Sequence, residues 1–201
     1  MKKGKFDWQR QHRFDVDWAK RLLMTTGSVS PMFVIVAEAG STVFAVPDWS
    51  DAVREPVYML IALQAAAANA FGISFMSEAW LRTIAGRSGE SRDEVERRAN
   101  QIRPSEAEDR IEVISIQCIY RDGAGDKQSL LTHLEIERDY TTGKPTSTKL
   151  LSFGEGLIVD TRIAECLPSE PLSPQKCAIA AELSKRVAKG LGIEMTELRA
   201  P

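Results

Sequence analysis

Cysteine is scarce in this chain and badly spaced for chemistry. Cys118, Cys166 and Cys177 are an odd trio among 201 residues, without the close pairs of zinc or dithiol redox motifs, so neither a disulfide framework nor a thiolate metal site is supported. An excess of one charge is also lacking. The 26 basic and 28 acidic side chains leave a formal net charge of -2, which removes any global field toward nucleic acid or an anionic membrane and leaves only local patches. The glycines at 86, 89, 123, 125, 154 and 156 match neither a phosphate loop nor a dinucleotide fingerprint, and no nucleophile elbow is present. No cofactor is expected. Residues 1–5 are basic, but residues 6–14 are polar rather than apolar, so no export signal is read and a reducing cytoplasm is the expected location. One uncharged stretch, residues 56–77, is nominally long enough for a membrane span. Gln64, Asn69, Gly72 and Ser74 interrupt it, and it reads instead as a buried helix running into a buried strand, with no membrane partner.

What the chain does have is a long hairpin. Residues 111–120 and 130–138 zip across a turn at 122–125 with Ile114 opposite Ile136, Ile116 opposite Leu134, Cys118 opposite Thr132, Tyr120 opposite Leu130 and Glu112 facing Arg138. One face is then apolar. The other carries Ser115, Gln117, His133, Glu135 and Glu137 among Val113, Ile119 and Leu131, and is expected to be the wetter side.

Around this ribbon the pattern predicts an α+β fold: an antiparallel sheet of five to six strands packed on one long helix, with an N-terminal arm and a C-terminal helix. Residues 1–30 read as a basic and aromatic arm with a short helix capped by Asp15 or Asp17. Residues 31–160 form the core domain. Within it a hairpin at 32–37 and 42–46 precedes a helix capped at Ser50 or Asp51, and strands follow at 73–76, 147–153 and 157–159. Ser91 and Glu94 have capping-box spacing for a short helix that Pro104 stops. Residues 161–201 form a proline linker and a helix with Ser173 as cap, Pro174 at its first position and a stripe of Cys177, Ala180, Leu183 and Val187.

His133, Glu135 and Glu137 alternate on one strand and point the same way, so imidazole and carboxylates could bind a cation or move a proton. Same-side neighbours on a strand lie about 7 Å apart, wide for a compact metal site without help from other strands. His12 falls in the expected arm. Cys118 and Cys177 fall on apolar faces, leaving Cys166 as the thiol expected to be exposed. Trp8, Trp18, Trp49 and Trp80 are the aromatic anchors a partner would use, and Lys185 and Arg186 form a basic patch near the end of the last helix. The interleaved basic and aromatic residues of the arm also permit a nucleic-acid grip.

Two resemblances bear on context. Residues 183–198, with Val187-Ala188-Lys189-Gly190-Leu191-Gly192-Ile193 and Glu197-Leu198, look like the closing part of a repressor-type helix-turn-helix domain, but prolines 168, 171 and 174 occupy the place of its preceding helices. The order strand, strand, helix, strand, with Ser77-Glu78-Ala79-Trp80 after the third strand and Pro104-Ser105-Glu106 through Asp109-Arg110-Ile111-Glu112 before the long hairpin, resembles small uncharacterised proteins of bacteriophages, prophages and plasmids. That resemblance implies a mobile-element accessory gene, a class that often encodes proteins binding and blocking a host factor. The expected function is accordingly a non-enzymatic interaction protein whose partner is a host protein or a further copy of itself. A metal-dependent enzyme or metal-binding protein using His133, Glu135 and Glu137, and a nucleic-acid binder, are the alternatives.

Overall fold

The computed structural model of the chain describes residues 6–46, 49–82, 87–99, 101–155, 161–194 and 196–198. Helix α1 (Trp8–Thr26) opens it. The Asp7 carboxylate caps α1 by accepting the Arg10 backbone N–H at 2.9 Å, and Gly27, at φ 85°, closes it by donating to Leu23 O. This corrects the expected start at Asp15 or Asp17 and removes the loose arm over residues 8–14. The inward stripe is Trp8, His12, Asp15, Ala19 and Leu23, and two of those residues are polar, which hides the helical period from a hydrophobicity reading.

Strands β1 (Met32–Ala37) and β2 (Gly40–Ala45) form the first hairpin, α2 (Asp51–Ala67) follows, and β3 (Gly72–Leu81) returns beside β1. Pro56 falls within α2, six positions into the chain after its cap Ser50. β3 is longer than the expected 73–76 because it pairs along its whole length with β4 (Ile111–Arg121), so its polar second half, with Ser77 and Glu78, is still strand. Between them α3 (Arg92–Ala99) carries the expected reciprocal cap: Ser91 N–H donates to Glu94 Oε2 at 2.8 Å and Glu94 N–H to Ser91 Oγ at 3.4 Å. Strands β5 (Lys127–Arg138) and β6 (Pro145–Glu155), helices α4 (Thr161–Cys166) and α5 (Pro174–Leu191), and a three-residue strand β7 (Thr196–Leu198) complete the chain. The expected strand at 157–159 lies outside the described residues.

All strands join one antiparallel sheet in the order β6-β5-β4-β3-β1-β2-β7, so the fold is α+β. The long hairpin pairs Ile114 with Leu134, Ile116 with Thr132 and Cys118 with Leu130, a register two residues from the expected one. Pairing continues to Arg121 and Lys127, and Asp122 closes the loop by accepting the Ala124 and Asp126 N–H groups on Oδ1. A slip of two leaves every side chain on its own face, which is why the apolar layer of Ile114, Ile116, Leu134 and Ile136 is buried as expected.

The arrangement of layers is different from the expected one. Helix α1, and not α2, covers that apolar layer, with Leu23, Val34, Met76, Ile114, Ile116 and Leu134 in one cluster. The opposite face, expected to be wet, is closed by α2, α4 and α5 over Phe33, Ile35, Ile73 and Ile119. His133 and Gln117 are buried there with Val113 and Leu131. The C-terminal helix packs on α2 through Ala188, Val187 and Leu191. Its buried line is Ala180, Ser184 and Ala188 rather than the expected stripe, and Leu183 is exposed, because small residues four apart let two helices approach closely. Among the described residues no helix is long and apolar enough to cross a membrane.

Candidate interaction surface

Polar chemistry under α1 is sealed in. The Asp15 carboxylate, fully buried, accepts Ser74 Oγ–H on Oδ2 at 2.6 Å and Gln11 Nε2–H on Oδ1 at 2.9 Å. Burial pushes its pKa up to about 6, and the bonds from Ser74 and Gln11 pull the other way. One turn earlier His12 Nε2 shares a hydrogen bond of 2.8 Å with Thr132 Oγ1, and burial pushes the imidazole down to about 4, so it is neutral at physiological pH. The Cys118 thiol, beside Ser74, is raised to about 12 by burial. These groups make a polar layer inside an apolar interface, and none of Asp15, Ser74 and Cys118 is exposed to anything that could react with it. His12, read from the sequence as part of a mobile arm, is only 3% exposed.

At its outer margin this face opens. A recess of about 310 Å³ lies between α1 and the last strands, lined by Gln9, His12, Arg13, Leu130 and Phe153. Beyond it runs β6, which is bonded to β5 on one side and to no strand among the described residues on the other. Leu150, Leu151 and Phe153 are 60%, 37% and 54% exposed. One helix has too little width to cover the whole sheet: α1 lies over β3, β4 and β5 and reaches β6, with the His12 and Phe153 rings 6.1 Å apart, yet Leu150 and Phe153 stay more than half exposed. The opposite edge differs, for there β2 is paired with β7 over Ser41, Thr42 and Val43.

The residues expected to be anchors are scattered: Trp8 is buried, Trp18 and Trp49 are half-buried, and Trp80, Lys185 and Arg186 are exposed. Trp8 stacks on Tyr120 with ring centroids 4.7 Å apart and lies over Gly72, where a Cβ would come within 1.9 Å of its ring; its burial corrects the expectation of an exposed anchor. Trp18 packs beside the α1 cluster, and Trp49 lies among Phe33, Tyr58 and Phe75 on the other face. Trp80 alone of the four is exposed, under the Arg110 guanidinium at 4.8 Å. Lys185 and Arg186 are exposed on α5, with Lys185 paired to Glu182 at 3.0 Å.

His133, Glu135 and Glu137 do share a face, and it is wet at one end only: His133 is buried, Glu135 half-buried and Glu137 exposed. Burial lowers the His133 pKa, Glu135 lies opposite Lys149, and Glu137 accepts a hydrogen bond from Ser147 Oγ. Among the described residues no three His, Cys, Asp or Glu side chains gather as a metal site would require. Cys166, expected to be exposed, is buried at the end of α4 with its thiol donating to Tyr58 O at 3.4 Å; that helix is six residues long and stops just before a proline-rich stretch, too short for a periodic sequence pattern to signal it. Sequence reading missed the β6 edge, which it treated only as an extension of the meander. The Leu150-Leu151-x-Phe153 cluster was its available signal. No protein family matches this chain, and neither curated proteins nor solved structures show a significant match to it.

Proposed function

We propose that this chain is a non-enzymatic interaction protein that docks through the outer edge of β6. One observation carries the reading: the edge is eleven residues long, unpaired among the described residues, and lined by Leu150, Leu151 and Phe153 in contact with water. Such an edge offers a row of backbone donors and acceptors, and soluble proteins guard edges of this length unless another chain completes them. Lys149 and Pro145 guard its first half, and residues 150–154 carry no charge. The buried Cys118 thiol supports the same reading, because it stands where a substrate has no access. The resemblance to mobile-element proteins adds a narrower proposal, that the partner is a host protein held in an inhibited state.

The test is a variant carrying Leu150→Lys and Phe153→Lys. Both side chains already face water, so its circular dichroism and unfolding midpoint stay those of the parent. Binding to whatever the parent chain retains falls at least about tenfold. Undiminished binding by the folded variant rejects β6 as the docking strand.

A further inference from the structure

We propose that the occupant of this edge is a second copy of the chain, paired antiparallel to β6 across a two-fold axis between Leu151 and Ser152. The inference rests on the docking-strand reading and adds the partner. Its basis is the β-bulge in β6. Thr132 pairs with Phe153 and Leu134 with Leu150, with the irregularity between them. Thr132 and Leu134 are two apart and both lie on the α1 face, so Leu150 and Phe153, three apart in β6, lie on that face together. In a regular strand they would point to opposite sides.

A two-fold axis at the bulge uses this. Leu150 then meets Phe153 of the second copy, and Phe153 meets its Leu150, giving two apolar cross-strand pairs on one face. Lys149 meets the second copy's Gly154, which has no side chain to displace, and Thr148 meets position 155. Each of these pairs joins residues of one face, since Lys149 and Gly154 lie opposite Glu135 and Leu131 of β5, while positions 148 and 155 lie opposite Ile136 and Leu130. The bulge residues straddle the axis, so two strands bulged at the same place stay in register on both sides of it. The two Lys149 positions end about 14 Å apart along the seam, because the bulge lets residues 149–154 span only the four-residue rise from Glu135 to Leu131, and that exceeds the ~8 Å screening length at physiological salt.

Two measurements test it on the full chain. Sedimentation velocity at about 100 µM finds a dimer for the parent, and Leu150→Lys weakens its association at least about tenfold. In a Cys177→Ser background, chains with Leu150→Cys and chains with Phe153→Cys are mixed and mildly oxidised. The mixed disulfide forms in at least about tenfold excess over either self-linked species, because only the mixed pair lies directly opposite. A monomeric parent, a dimer indifferent to Leu150→Lys, or equal linking with an Ala178→Cys control on α5 overturns the second-copy inference. A monomer whose double lysine variant still loses a captured partner leaves the docking strand standing and removes only self-pairing. Loss of neither removes both.

Discussion

The two faces of the sheet are closed by unequal means. Three helices, α2, α4 and α5, seal one face with aliphatic and aromatic side chains such as Phe33, Leu60, Ile61 and Ile73. A single helix covers the other, over a layer that includes His12, Asp15, Ser74 and Thr132, and although His12 reaches Phe153 it leaves Leu150 and Phe153 of β6 more than half exposed. Both faces bury polar groups, Gln117 and His133 on one and Asp15, Ser74 and Thr132 on the other, but the face with less cover is the one with the recess beside Phe153 and the exposed Leu150 of the edge. The difference teaches that stability and contact with other molecules are divided between the faces.

Truncations and titrations sharpen the contrast. Leu60→Ala, on the well-covered face, empties a fully buried site and is expected to cost about 2–5 kcal/mol in denaturant unfolding, with no change in pH dependence. On the α1 face the largest effect is pH-dependent. Asp15 has a folded-state pKa of about 6 against 3.8 unfolded, so the folded state holds its proton longer; that stabilisation is complete below about pH 4 and lost as pH rises through about 6. His12, at about 4 against 6.5, runs the opposite way: its cost is full below about pH 4 and gone above about 6.5. The two slopes offset one another in the parent. Relative to the parent, Asp15→Asn therefore gains stability between pH 4 and 6, and His12→Gln loses it between pH 4 and 6.5, each by on the order of 2–3 kcal/mol in urea melts across that range. Parallel curves for parent and variants would mean that the polar layer is open to water.

Gly72→Ala is expected to have the smallest effect of the three, about 1–3 kcal/mol, because the new methyl group meets the far end of the Trp8 ring and a side chain yields more easily than backbone. Its mark is local. Tryptophan fluorescence shifts to the red as Trp8 leaves Tyr120, while α2 keeps its protection from hydrogen exchange. An unshifted spectrum with wild-type stability would show that Trp8 does not hold α1 to the sheet.

How much of this was readable in the sequence follows from which residues report burial. The apolar layer of the long hairpin, the antiparallel pairing, the Ser91–Glu94 cap and the Ser173–Pro174 start of α5 were legible, since each depends on local pattern. The hairpin register was missed by one pleat because the loop chemistry of Asp122, rather than the side-chain sorting, decides it, and sorting is blind to a shift of two. The cover over each face was not legible. His12 and Asp15 look like surface residues until Ser74 and Thr132, 59 and 120 residues away in sequence, supply their partners. Gln117 and His133 look like a wet face because their burial comes from the packing of distant elements, which local alternation does not report. The free edge depends on strand order, which no local pattern encodes.

The most direct measurement is residue-resolved amide hydrogen exchange of the full chain at dilute and at high concentration. If β6 is the edge through which copies meet, amides of residues 148–154 gain protection with concentration while those of α1, α2 and β2 stay unchanged. Concentration-dependent protection that appears on α5 or around Trp80 instead, with β6 amides exchanging at the same rate throughout, would contradict it.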